Sequence, residues 1–551
     1  MFDNQFYKKF IIIFIIFIFF CTGITNARPY YYTRDDQRTS DTNKQRAESN
    51  INLTPDFILK TMWEEPVPWK YVLEKHGEEN WFEPDYNDSS WKQGQPLFGA
   101  WYPELDDQIK TQWTNDIWLR REFILDSEPP NDVLIYAKWD DSINIYINGV
   151  PAFSRDSWTY GYEYQRINLQ AAKKLKKGKN IIAIYCHNNG GPGYVDCGIS
   201  KNIFETIPCT GYELHTELEI YYREVKKFME TNFIPAGTLS ISKGDKIVLS
   251  RRFGWADNQR KKALEGKAIF RLASNDKLIT KAAIVNLVKK RPKLPDGKYL
   301  SDKTLIFKIF QLYGIDDRPD EEIDSQIKKV TIDNLINHNS GIFELPSASQ
   351  LYQDMDVQTG LAAKADSAKW ILKQTTHFEP GTQGQYCSSA YFMLRYIVEL
   401  VSGMELEDYL NKYIFKPIGF DEVAISYEEM SGRHPNEIWY ADIDAPYDRY
   451  INLENYLALS ASSDAMVKFL RWYHLGTLER MYYAGKWKPS DNGTGAFFGG
   501  MEGTFSYTLQ RRFDEVNICL IFNKAGSFNS ICSRLEEITN SIDPDVWNNL
   551  N

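Results

Sequence analysis

The stretch "FRLASNDKLITKAA", Phe270 to Ala283, sets a serine and a lysine three residues apart, between an apolar strand-like run and an amphipathic helical pattern. At a helix start, positions i and i+3 share a face, so the Lys277 amine can reach the Ser274 hydroxyl. The free N–H groups of a first helical turn and the positive end of its dipole suit a developing oxyanion. A lysine acting as base must shed its proton, which asks for desolvation or cationic neighbours. Read alone, the same residues also describe a serine N-cap followed by a surface lysine.

Spacing does not separate the two readings, because Ser240/Lys243 and Ser325/Lys328 share it. Context does. Ser240 lies in "AGTLSISKGDKIVLSRRFGWAD", an alternating pattern in which residues three apart point to opposite faces of a strand. Ser325 lies in the acidic, solvated run "DEEIDSQIKK".

Outward from Ser274 the pattern is mixed. "ELEIYYREVKKFMETN" reads as a helix, and a hairpin follows around Gly244-Asp245. Helical segments include Thr280–Lys289 and Ala390–Ser402. "GTFSYTLQRRFDEVNICLIFN" is a second hairpin and "ICSRLEEITNSI" a closing helix. Strands at both ends with helices between predict an α/β sandwich over 216–551, its sheet built from the two termini of the unit.

Residues 56–206 differ in texture. "DVLIYAKWDDSINIYINGV" contains two strands around Asp140-Asp141, the second alternating Ile143, Ile145 and Ile147 and closing on Asn148-Gly149. "GKNIIAIYCHNNGG" is another strand. Short strands with regular turn signals predict an all-β sandwich.

Before these, Lys8-Lys9 precedes the apolar run Phe10–Phe20, and Thr25-Asn26-Ala27 offers small residues for cleavage. A signal peptide over 1–27 is expected, and with it a secreted or extracytoplasmic protein without a membrane span after cleavage. A retained anchor is the alternative, although the run falls short of the ~20 residues a span needs. Residues 28–55 are polar and aperiodic and read as a disordered leader. Outside the signal lie Cys186, Cys197, Cys209, Cys387, Cys519 and Cys532, an even number that predicts some disulfides in an oxidising compartment. Asn52, Asn87 and Asn492 begin glycosylation acceptor sequences.

The 551 residues are 43 % hydrophobic and 15 % aromatic, a globular composition. Their net charge of −10, with "KKLKKGK" at Lys173–Lys179 the only basic run long enough to track a phosphate backbone, argues against a nucleic-acid partner. No G-x-S-x-G elbow, H-E-x-x-H or C-x-x-C occurs, which removes the signatures of an α/β-hydrolase, a zinc hydrolase and a zinc knuckle. "NNGGPG" at Asn188–Gly193 has no lysine-bearing helix after it and is no phosphate cradle. A structural calcium near Asp140-Asp141 is a further expectation.

Two resemblances sharpen this. "FRLASNDKLITKAA" is similar to the S-x-x-K motif of the serine β-lactamase and penicillin-binding-protein superfamily. "IPAGTLSISKGDKIVLSRRFGWAD" resembles the hairpin before it, "VTIDNLINHNSGI" the segment between motifs, and "FEPGTQGQYCSSAYFMLRYIVELVSGM" the segment with the second motif, Y-x-N. "LALSASSDAMVKFLRWY" matches a further helix. The resemblance implies an antiparallel sheet with helices plus a helical subdomain, and an acyl-enzyme mechanism needing no cofactor. Ser274 would be the nucleophile, and Lys277 would share proton transfer with Tyr386; a core tyrosine is the other reading of Tyr386. His338 would have a helix-end or packing role.

The second motif departs from the family's pattern, with Ser388 where asparagine is usual and Cys387 a buried filler or disulfide partner. The third, usually K-T-G or H-x-G, is placed at Phe498-Gly499-Gly500, with the Met501 N–H as second oxyanion donor. Without a cation there, a substrate carboxylate is poorly held. Some carboxylesterases of the superfamily have W-G-G at this place, so a small ester or peptide is the expected substrate, not an antibiotic.

Separately, "NDSSWKQGQPLFG", "WTNDIWLRREFIL", "WDDSINIYINGV" and "KKGKNIIAIYCHNNGGPGYVDCGI" resemble the galactose-binding-like jelly roll attached to many secreted glycosidases. That implies a carbohydrate as a partner, with Trp101, Tyr102, Trp113 and Trp158 able to stack on it, or a structural appendage. Three readings stand: a Ser–Lys–Tyr hydrolase, a pseudoenzyme of that fold serving as a scaffold, and a carbohydrate-binding protein.

Overall fold

The computed structural model describes residues 57–550, except 63–64, 75–79, 96, 101–108, 131, 160–161, 192, 205–206, 258–260, 346–363, 421–422, 426–433, 442–458, 474–493 and 502. The signal and leader, Cys21, Asn52, Asn492, Trp101 and Tyr102 lie outside the described residues.

The first half folds as two six-stranded sheets around one core. One sheet runs Glu163–Arg166, Val133–Trp139, Gly193–Lys201, Phe98–Ala100, Thr111–Gln112, with Phe57–Leu59 also on Gly193–Lys201. The other runs Lys92–Gly94, Trp69–Val72, Asp116–Leu125, Gly178–His187, Ser142–Ile147, Val150–Asp156. The alternation of Ile143, Ile145 and Ile147 puts all three in the core against Trp139, Ile182 and Ile184. Asn148 and Gly149 both take positive φ, the geometry that closes a two-residue hairpin.

The second sheet system is antiparallel throughout, in the order Cys209–Glu213, Lys246–Gly254, Ala236–Lys243, Val516–Phe522, Thr504–Arg511, Thr494–Met501. Strands from the two ends of the unit meet where Ala236–Lys243 pairs with Val516–Phe522. The edge strand Cys209–Glu213 belongs to this sheet, upstream of the helix from which the pattern was read. One face packs on the helices Glu219–Asn232 and Asn529–Ser541. The other packs on Asp276–Lys290, Ser388–Ser402 and Ser463–Trp472.

Two expectations are corrected. The helix after Ser274 is not amphipathic: from Asp276 to Val288 its residues are buried on all sides apart from Lys281 and Asn286. It lies between the sheet and the helix Ser388–Ser402, so it has no solvent face to make polar. The six cysteines are free thiols, five of them buried. Cys519 and Cys532 belong to cores on opposite faces of the sheet, so their parity carries no pairing.

Candidate active site

Ser274 sits in a 3-10 turn, Ala273–Asn275, leading into the buried helix. Ala273 has φ +47°, a left-handed conformation that residues with a Cβ rarely adopt, so the surroundings must hold the turn. The sheet supplies much of that hold. Thr504 Oγ donates to Arg271 O at 3.0 Å, Ser506 Oγ to Leu272 O at 2.5 Å, and Thr508 Oγ to Asn275 Oδ1 at 2.7 Å. Asn275 Nδ2 in turn donates to Ser506 Oγ. From the helical side, Arg395 pairs with Asp276 at 2.6 Å and donates to Thr280. None of these roles was visible in the sequence; the alternation Thr504, Ser506, Thr508, small polar residues on one face of a buried strand, was the available signal.

The turn brings three polar side chains together. The Ser274 and Tyr386 hydroxyl oxygens are 2.5 Å apart, and Lys277 Nζ donates to Ser274 Oγ at 3.4 Å. Lys277 is buried, with Nζ 5.1 Å from the Tyr386 ring centroid and 5.9 Å from that of Tyr391. A surface lysine behind an N-cap serine does not describe this arrangement. Tyr386 is not a core residue either: it stands 39 % exposed at the rim.

Tyr386 is anchored from two directions. The helix after it starts at Ser388, where the Glu344 carboxylate accepts from the N–H groups of Ser388 and Ser389 and from Ser389 Oγ. A carboxylate there suits the positive end of the helix. His338, just beyond the short helix Ile332–Ile336, stacks on Tyr386 at 4.6 Å and on Tyr391 at 4.8 Å. Its Nδ1 accepts from the Cys387 N–H. Burial, then Lys277 and Lys281, push the His338 imidazole down to about 4. Cys387 is the expected filler, its thiol pushed up by burial and bonded to the Ile342 carbonyl. Ser388 is half-buried at the helix start.

The third-motif strand, Thr494–Met501, is the sheet edge beside the turn. Gly499 lies against Ser274: a Cβ there would meet Leu272 O and Ser506 Oγ at 2.5 Å and Ser274 N at 2.8 Å. At Gly500 a Cβ would meet nothing. The expectation for Phe498 is overturned. Its ring packs on Tyr507, 5.1 Å away, in the core on the far face of the sheet, whereas Phe497 packs on the Ser274 side. Side chains alternate along a strand, so Phe497, Gly499 and Met501 share the face toward Ser274.

No group of three or more His, Cys, Asp or Glu side chains able to hold a metal occurs among the described residues. Asp140, against Asp141, is pushed up to about 8 by burial and its neighbour. No helix of the described residues is long and apolar enough to cross a membrane.

Comparison with known proteins meets this geometry. The chain is 25 % identical over 198 residues to penicillin-binding protein 4* of Bacillus subtilis (strain 168), covering 35 % of this chain and 39 % of that protein. It is 27 % identical over 185 residues to a D-aminopeptidase of Brucella anthropi, covering 34 % and 32 %. To a putative D-alanyl-D-alanine carboxypeptidase of Escherichia coli O157:H7 it is 26 % identical over 218 residues, covering 37 % and 46 %. The chain thus spans between about a third and about half the length of these curated relatives. The sequence model of the Beta-lactamase family matches residues 223–531, which include the Ser274 turn, Tyr386 and the edge strand, and this chain belongs to that family.

Proposed function

We propose that this protein is a secreted serine hydrolase that works through an acyl-enzyme on Ser274, on small uncharged amides or esters. The observation that carries the reading is the contact of Ser274 Oγ with both Tyr386 and Lys277. Ser274 attacks the carbonyl carbon as its proton passes to the Tyr386–Lys277 pair, which returns a proton to the leaving group. Water, deprotonated by the same pair, then frees the acid. The Ser274 N–H is one oxyanion donor. The other is on the edge strand. Antiparallel residues alternate in their hydrogen bonding, and Met501 and Thr504 close the hairpin across two residues. That alternation turns the Gly500 N–H to the free edge, so Gly500 is a better donor than Met501.

The substrate class follows from what faces Ser274. Phe497, Gly499 and Met501 carry no charge, so a substrate carboxylate finds no partner on that strand. Relatives named D-aminopeptidase and D-alanyl-D-alanine carboxypeptidase favour an amide or peptide; the uncharged strand is equally open to an ester. The test is a fluorophosphonate probe with intact mass measurement. One adduct that disappears in Ser274→Ala supports the reading. Folded protein that takes no label sinks it in favour of a scaffold without turnover.

The first half, 56–206, joins this proposal as a galactose-binding-like jelly roll preceding the hydrolase unit at 216–551; its two packed sheets support that reading. Of the aromatic candidates for a sugar, Trp113 is buried and Trp158 is 47 % exposed. Retardation in gels containing polysaccharide, lost in Trp158→Ala, is the corresponding measurement.

A further inference from the structure

His338 touches Tyr386 on three sides. Its carbonyl oxygen accepts from the Gln385 N–H at 2.8 Å, and its Nδ1 from the Cys387 N–H at 3.1 Å. These are the amides on either side of Tyr386. Its ring lies nearly parallel to the Tyr386 ring, at 26°, and at 29° to that of Tyr391 on its other contact. Tyr391 is itself fixed, buried with its hydroxyl on Ile336 O. His338 adopts φ +53°, a left-handed conformation few residues with a Cβ take, and presents carbonyl and ring to one short loop.

We infer that His338 is the positioning residue for Tyr386, setting the reach of the phenol to Ser274 by clamping both flanking amides and stacking on the ring. The inference rests on the hydrolase reading above. The chemistry asks for this side chain. A phenylalanine could stack but not accept from Cys387, and an asparagine could accept but not stack. The accepting Nδ1 leaves the proton on Nε2. An imidazole kept neutral by burial, Lys277 and Lys281 adds no positive charge beside the catalytic amine.

The experiment is a double-mutant cycle on the full chain, read as the rate of fluorophosphonate labelling. His338→Asn slows labelling on the order of 10- to 100-fold, the cost of displacing a reacting group by about 1 Å. In the Tyr386→Phe background the same change adds nothing, because His338 acts through the phenol. Multiplying effects, or wild-type labelling in His338→Asn, overturn the inference. His338→Phe, which keeps the ring between the tyrosines, replaces the asparagine variant if that one does not fold. A second readout needs no turnover: the ¹³Cζ signal of labelled tyrosine that is missing from Tyr386→Phe. It shifts in His338→Asn as the imidazole ring current is lost, and an unmoved signal overturns the inference. An unlabelled wild type with a shifted signal sinks the hydrolase reading alone.

Discussion

The backbone of Gly499 lies against the backbone nitrogen of Ser274, close enough that a Cβ would stand 2.8 Å from it. Edge strand and Ser274 turn are therefore in main-chain contact, and the gap between them cannot be tuned by rotamer changes. Gly499→Ala must push apart Leu272, Ser506 and Ser274. A loss of about 1–3 kcal/mol is expected, as for other overpacked sites, together with loss of labelling. Gly500→Ala meets nothing and has no positive φ, so it should leave stability within about 0.5 kcal/mol. Urea unfolding of the two variants checks the contrast; equal effects would mean the strand does not seat as described.

Lys277→Met and Tyr386→Phe each remove one partner of the Ser274 hydroxyl while keeping most of the side-chain volume. Labelling rates should fall on the order of 10²- to 10⁴-fold in each, the usual contribution of positioned acid–base groups. The adduct mass on the residual labelled fraction should still map to Ser274. A variant that labels at the wild-type rate would remove that residue from the mechanism.

The His338 imidazole predicts a pH dependence of stability. Its folded pKa, about 4, lies below the ordinary 6.5. Between these values the unfolded chain takes up a proton that the folded protein refuses. Stability from this group is therefore whole above pH 6.5 and declines as pH falls toward 4, by on the order of 3 kcal/mol. Unfolding free energies at pH 7 and pH 4.5 should differ less in His338→Asn than in the wild type. Equal differences would contradict a buried neutral imidazole.

Unpaired cysteines predict indifference to reductant. Adding dithiothreitol should leave Tm unchanged, whereas losing a native disulfide typically costs about 2–5 kcal/mol. Thiol titration of the native protein should detect Cys209, the half-buried one, ahead of Cys186, Cys197, Cys387, Cys519 and Cys532. A reductant-dependent Tm would show a bridge that these positions do not make.

Sequence alone determined the features carried by local pattern. The hairpin at Gly244-Asp245, the alternating isoleucines and the serine and lysine one turn apart depend on residues a few positions apart, where strand and helix periods act directly, while Tyr386 came only from the family resemblance. Tertiary structure decided what depends on register and on distant partners. A strand's side chains alternate, so placing the third motif one residue late exchanged Phe497 for Phe498 and site for core. The helix after Ser274 loses its polar face because the fold encloses it, and the cysteines stay apart because the sheet separates them. The supports of the site come from 44 to 234 residues away in the chain, as Glu344 to Ser388 and Ser506 to Leu272 show. Such contacts leave no period to read, because chain folding alone makes them neighbours.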